Sequence, residues 1–124
     1  MAKGDVYPSE KREFSDPATD VCVVQLTDQP CANTNAYYNQ EQFIGGSERF
    51  VFTSNRSGER HLYAVEVASG KIVQLTDEEP SGGFTVDAQR GIVYFGRGRQ
   101  FLALDAESLR EEVVAESPEG CGPI

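Results

Sequence analysis

The sequence has few of the side chains from which metal centres and nucleophilic sites are built. Its 124 residues contain a single histidine, His61, and three cysteines. Without a second histidine at metal-ligand spacing, neither a histidine-rich metal site nor a Ser/His or Cys/His nucleophile system can be assembled. We therefore predict no catalytic residue, no metal ligand and no cofactor in this chain, and we expect His61 to be a surface or cross-strand residue.

Export and membrane signals are also missing from the sequence. The opening Met-Ala-Lys-Gly-Asp lacks the apolar run of a signal peptide, and no apolar stretch approaches the roughly 20 residues of a membrane span. Cys22, Cys31 and Cys121 are odd in number and do not have paired zinc spacing. These features predict reduced thiols in a cytoplasmic protein. A Cys22–Cys31 disulfide stays open as the alternative.

Positive charge is scarce. Lysine and arginine together number 11 against 20 acidic residues, which gives a formal net charge of −9. Nucleic acids and anionic membranes both attract basic surfaces, so this balance argues against either as a general partner.

What the sequence does contain is a repeat. The pentapeptide Val-Gln-Leu-Thr-Asp occurs at residues 24–28 and again at 73–77, and the apolar triplet at 50–52 is echoed at 92–94. Such a period is typical of β-propeller blades, which have about 40–50 residues and four strands each. The repeat therefore predicts an all-β fold built from antiparallel blades.

Aromatic and β-branched runs separated by polar turns divide the chain further. We predict an N-terminal segment (1–20), an extra outer strand (21–28), blade one (35–77), blade two (82–116) and a tail (117–124). The predicted blade strands are 37–43, 49–53, 62–67 and 72–75, then 84–87, 92–95, 101–105 and 111–115. A helix over 104–115 is disfavoured because the parallel with 67–75 indicates strand, turn and strand.

Several segments carry a family resemblance. Residues 54–58 (SNRSG), 62–63 (LY) and 74–77 (QLTD) resemble the blade repeat of TolB-like propellers. Residues 1–4, 16–19, 25–27, 37–38, 43 and 116–120 look like the amino-terminal part of oligogalacturonate lyase. The resemblance implies a seven-bladed propeller of which this chain forms the first two blades. It also implies β-elimination of short pectin-derived oligogalacturonides, with manganese and a histidine base contributed by later blades.

Arginines are concentrated in two predicted loops. In a propeller, the loops between the second and third strands of every blade lie on one face, and here those loops carry Arg56 and Arg60, then Arg97 and Arg99. A guanidinium matches a carboxylate through two parallel hydrogen bonds, so these four turn arginines are candidate ligands for an acidic oligosaccharide. The alternative is that such residues shape polar hairpin turns.

For several aromatic and acidic side chains, a functional role and a structural role are likewise the alternatives. Tyr37, Tyr38, Phe43 and Tyr63 suit stacking on sugar rings, but period-two placement favours the core. The acidic pairs at 78–79 and 111–112 resemble acid–base carboxylates, but neighbours on a strand point to opposite faces, so we predict solvated edges.

Two blades leave two apolar faces without a neighbouring blade, whereas stacked repeats generally need at least about three units. We therefore expect an incomplete part of a larger propeller that is prone to self-association through its open faces. Two functions fit such a chain. One is the scaffold of an oligogalacturonate lyase, and the other is a noncatalytic TolB-like module that binds a protein or peptide on its loop face.

Overall fold

The computed structural model describes residues 3–28, 31, 33–34, 43–44 and 48–116. These residues form strands and turns, with no helix among them, and every strand pair is antiparallel. The predicted all-β class is therefore confirmed. In this part of the chain nothing helical is long and apolar enough to span a bilayer.

The strands belong to two larger sheets and one hairpin. Sheet 1 has the order β1-β8-β7-β6-β4, with β5 also on β6; sheet 2 has the order β12-β11-β10-β9; and β2 pairs with β3. The bounds are β1 Val6–Tyr7, β2 Arg12–Ser15, β3 Cys22–Gln25, β4 Asn33–Thr34, β5 Phe43–Ile44, β6 Arg49–Ser54, β7 His61–Glu66, β8 Ile72–Gln74, β9 Ser81–Asp87, β10 Ile92–Arg97, β11 Gln100–Asp105 and β12 Glu111–Glu116.

Sheets 1 and 2 share one apolar core. Alternate side chains of a strand point to the same face, so Val51 and Leu62 of sheet 1 meet Val93, Phe95 and Leu104 of sheet 2. All five are essentially inaccessible to solvent. This packing fixes the two sheets against each other and therefore also positions the turns at their ends.

The other face of sheet 1 carries a second apolar cluster. Phe52, Tyr63, Val65 and Ile72 are buried there, with Tyr7, Leu26 and Phe50 packed against them. Tyr7 and Leu26 come from the first 28 residues, so the N-terminal part of the chain covers this face.

The N-terminal part differs from the prediction. β3 lies within the strand predicted over 21–28, but it pairs with β2 in a separate hairpin, and the outer edge of sheet 1 is taken by β1. Neither β1 nor β2 has the apolar run from which a strand is predicted, because β1 has two residues and β2 is the mostly polar Arg-Glu-Phe-Ser. The predicted strand at 37–43 lies outside the described residues except for Phe43, and so does the predicted tail at 117–124.

Sheet 2 follows the prediction. Its four strands run in sequence order through three hairpins, and residues 104–115 contain strand, turn and strand as the repeat indicated. Leu109 in the connecting turn has a φ of 63°, a left-handed conformation that interrupts any regular helix.

Candidate functional site

The candidate site is the end of the two sheets where the turns β6–β7 and β10–β11 carry the four turn arginines. Two neighbouring carboxylates after β8 connect these turns. Glu79 Oε2 accepts a hydrogen bond from the Arg60 amide at 3.3 Å, and Glu78 Oε2 pairs with Arg97 Nη1 at 3.2 Å. The structure therefore brings the two turns to the same end of the molecule, but it gives the four guanidinium groups different surroundings.

Arg56 is buried, and its side chain has 0% exposure. Nη1 donates to Glu10 at 2.7 Å, Nη2 donates to Asn33 Oδ1 at 2.9 Å, and Nε donates to Ser54 Oγ at 3.2 Å. The guanidinium carbon also lies 5.5 Å from the ring centres of Phe52 and Tyr63. These contacts tie the N-terminal segment and β4 to the β6–β7 turn, which is the turn-shaping role that was the alternative to ligand binding.

Tyr63 lies below Arg56 and belongs to the core. It has 0% exposure, and its ring stacks on Phe52 with centroids 5.9 Å apart. Burial away from water raises the pKa of its phenol to about 12. Core packing, and not stacking on a sugar, is therefore the role that the structure gives Tyr63. Tyr37 and Tyr38 lie outside the described residues, and Phe43 is 37% exposed.

Arg97 anchors an ion network at the edge of sheet 2. It binds both oxygens of Glu111, at 2.8 and 3.4 Å, and Lys3 reaches the same carboxylate at 2.6 Å. The Glu111 side chain is only 16% exposed. The prediction of a solvated edge was therefore wrong for Glu111, because partners distant in the sequence converge on it.

This network has a pH signature. Burial by itself raises the pKa of Glu111, but the hydrogen bonds and positive charges of Arg97 and Lys3 outweigh it and hold the pKa below its ordinary value. A depressed folded-state pKa stabilises the protein above the unfolded value of about 4.3, and that stabilisation is lost as pH falls through the lower folded-state pKa.

We expect Glu111→Gln to reduce the free energy of unfolding by about 1–2 kcal/mol at neutral pH, because both cations lose a charged partner. The difference from the parent protein should shrink as pH falls through the acid range. Urea unfolding across a pH series measures it, and Glu112→Gln on the exposed neighbour is the matched control. A Glu111→Gln deficit that stays constant with pH would contradict this account.

Arg60 and Arg99 are both partly exposed. Arg60 Nη1 donates to the carbonyl of Pro80 at 2.8 Å. The Arg99 side chain is 41% exposed, against 0% for Arg56 and 17% for Arg97, and its Nη2 lies 4.0 Å from Glu116 Oε1. An ion pair of this length near solvent contributes little to stability. Arg99 is therefore more accessible to a ligand than Arg56 or Arg97.

His61 is buried at 3% exposure, at the start of β7. Its Nδ1 lies 3.0 Å from Thr76 Oγ1, and the same hydroxyl accepts the Leu62 amide at 3.2 Å. Of the two placements predicted for His61, the structure shows the cross-strand one and not the surface one. A ring enclosed in this way has no access to a substrate.

The described residues do not fit a metal ion. No group of three or more histidine, cysteine, aspartate or glutamate side chains occurs within the described ranges. Cys22 and Cys31 are free thiols, so the alternative disulfide between them is not formed. Manganese, which the sequence resemblance implied for later blades, has no ligand set in this part of the chain.

Comparisons with known proteins place the fold. No family model and no curated protein sequence matches the chain. Among solved structures, oligogalacturonate lyase from Vibrio parahaemolyticus matches with a TM-score of 0.84 and 24% identity over 95% of this chain. An oligogalacturonate lyase in complex with manganese matches with a TM-score of 0.84 and 22% identity over 95% of the chain. The chain spans 32% of the length of each, and at these identities the likeness establishes a shared fold.

Proposed function

We propose that this chain is scaffold of an oligogalacturonate lyase that cleaves short pectin-derived oligogalacturonides by β-elimination. One observation supports this most strongly: 95% of the chain superposes on one third of the Vibrio enzyme with a TM-score of 0.84. The match covers 95% of the chain, and the relative position of its two sheets depends on their shared apolar core. A second oligogalacturonate lyase, in complex with manganese, gives the same TM-score.

The chemistry assigns this chain a supporting role. Elimination next to a uronate carboxylate needs a base of suitable pKa and a positive charge that stabilises the developing anion. Within the described residues the single imidazole is enclosed, and no metal cluster is formed. On this proposal, the base and the manganese belong to other parts of the complete enzyme, and this chain supports the loops around them.

A chimera tests the proposal. We would replace the equivalent third of the Vibrio enzyme with this chain and follow the ultraviolet absorbance of the unsaturated product formed from digalacturonate. We expect product formation that a chelator abolishes, and no product from the isolated chain with or without manganese. A folded chimera without activity would reject the lyase scaffold and favour the noncatalytic binding module.

The proposal gives the four turn arginines two roles in the binding of an acidic oligosaccharide. Arg56 and Arg97 hold the turns through buried or partly buried ion pairs. Arg60 and Arg99, which are partly exposed, add positive potential where a polyanionic chain approaches an otherwise acidic protein.

We expect Arg99→Ala in the active chimera to lower kcat/KM about 2- to 10-fold at low ionic strength, because an exposed charge steers an anionic substrate. The loss should vanish at high salt, since the Debye length is only about 3 Å at 1 M. Arg99→Lys should restore the rate, because steering needs charge and not the guanidinium fork.

Arg90 provides the matched control for Arg99. It is also an exposed arginine, at 75%, but it lies in the β9–β10 turn at the other end of β10 from Arg97. Equal kinetic losses for Arg90→Ala and Arg99→Ala would show a general charge effect and would reject a role specific to the candidate site.

A further inference from the structure

Arg97 has two carboxylate partners whose surroundings differ. Glu111 binds it through both oxygens, at 2.8 and 3.4 Å, and the Glu111 side chain is 16% exposed. Glu78 reaches Nη1 through one oxygen at 3.2 Å, and its side chain is 69% exposed. An ion pair with an exposed partner contributes little to stability, whereas a carboxylate bound through two hydrogen bonds is held more strongly. Of the two partners, Glu78 therefore leaves Arg97 at the lower cost in free energy.

The Arg97 guanidinium is held in place without Glu78. Its two hydrogen bonds to Glu111 fix the plane of the group, and its central carbon lies 5.5 Å from the centre of the buried Phe95 ring. Lys3 in turn holds Glu111 at 2.6 Å. A group that is fixed in this way loses little conformational freedom when a ligand binds to it. Departure of Glu78 would therefore leave Nη1 in place with one anion fewer beside it.

The main chain on both sides of Glu78 is anchored. Thr76 has 0% exposure, and the carbonyl of Pro80 accepts a hydrogen bond from Arg60 Nη1 at 2.8 Å. Rotation of the Glu78 side chain into solvent therefore removes its carboxylate from Arg97 while the connection between sheets 1 and 2 keeps its path. The exchange concerns one side chain and not the opening of a loop.

Charge determines what takes the place of Glu78. With Glu78 removed, Arg97 and Lys3 share the paired carboxylate of Glu111. Asp77 adds a longer-range attraction for Arg97. A partly buried cation is stabilised by a close negative partner. An incoming carboxylate therefore restores the ion pair that Glu78 made, and a neutral group does not.

We propose that Arg97 Nη1 is a binding position for one carboxylate of an acidic ligand, and that Glu78 is the internal side chain that occupies it in this structure. This rests on the proposed function, in which the ligand is an oligogalacturonide. A uronate carboxylate takes the place of the Glu78 carboxylate on Nη1, so the charge around Arg97 is conserved and no covalent bond changes. Glu78 thereby lowers the affinity for every ligand and favours those that carry a carboxylate.

Direct binding to the whole chain tests this exchange. Isothermal titration calorimetry with digalacturonate gives the dissociation constant, and the neutral dimethyl ester of the same sugar is the control ligand. Glu78→Gln removes the internal anion and keeps its shape. Glu107→Gln is the matched control, because Glu107 is 85% exposed and pairs with Arg49 at 3.8 Å in the β11–β12 turn, at the other end of β11.

We expect Glu78→Gln to lower the dissociation constant for digalacturonate about 2- to 5-fold at low ionic strength, since the ligand no longer displaces an exposed ion pair. The gain should vanish near 1 M salt, where the Debye length is about 3 Å. Glu107→Gln should have no such effect. In nuclear magnetic resonance spectra, the guanidinium signals of Arg97, assigned with Arg97→Lys, should shift with digalacturonate and not with the ester.

Three results would overturn the proposal. Equal gains for Glu78→Gln and Glu107→Gln would show that only net charge matters. Arg97 signals that stay fixed at about 10 mM digalacturonate would exclude the binding position, since 1 mM already corresponds to weak binding. Equal affinity for the ester would exclude carboxylate recognition. These readouts do not depend on product formation, so they are separate from an inactive chimera, which would reject the lyase scaffold itself.

Discussion

Replacing Arg56 by alanine is expected to reduce the free energy of unfolding by about 3–5 kcal/mol, the range for breaking a buried ion pair by removing one partner. Its side chain has 0% exposure, and Glu10, at 14% exposure, would keep its charge without its closest cation. Packing on Phe52 and Tyr63 would also be lost. Urea or thermal unfolding followed by circular dichroism measures the effect.

A double-mutant cycle with Glu10→Ala separates the ion pair from the packing. Because most of the cost comes from the unpaired charge, the double variant should be less destabilised than the sum of the two single variants. Arg99→Ala is the matched control and should change stability by no more than about 0.5 kcal/mol. If Arg56→Ala and Arg99→Ala had equal small effects, the turn-shaping role of Arg56 would be rejected.

Truncating the core between the sheets should have a comparable effect. Phe95→Ala is expected to reduce the free energy of unfolding by about 3–5 kcal/mol, since a buried phenylalanine loses its transfer free energy and leaves a cavity. Phe95 is 1% exposed and lies in the cluster that joins sheets 1 and 2. Such a loss is a large part of the roughly 5–15 kcal/mol that stabilises a typical domain.

Phe14→Ala is the control for the same change in chemistry at an exposed position. Phe14 is 43% exposed on the hairpin β2–β3, so its truncation removes much less buried surface. Denaturant titrations of the two variants beside the parent give both values. A smaller loss for Phe95→Ala than for Phe14→Ala would mean that the shared core does not hold the sheets together.

Local signals in the sequence were sufficient for sheet 2 and for most of sheet 1. Short runs of aromatic and aliphatic residues in 92–95 and 101–105, with the turn residues between them, specify strands and hairpins through nearest neighbours alone. Strands β1 and β2 escaped prediction because one has two residues and the other is mostly polar, so neither has such a run. β1 forms because it pairs with the edge strand β8 of sheet 1, and Tyr7 and Leu26 of the N-terminal part pack on the apolar face of that sheet.

In the candidate site, too, some features follow from the local sequence and others only from long-range contacts. The sequence by itself determined which turns carry arginine, because residues 55–60 and 96–100 are read directly between predicted strands. It did not distinguish the four guanidinium groups. Arg56 becomes buried only because Glu10, 46 residues away in the sequence, is brought to it by the fold. Arg97 and Glu111 likewise gain Lys3 from the far end of the chain. Burial and charge pairing depend on long-range contacts, so the tertiary structure alone decided which arginines support the turns and which remain accessible.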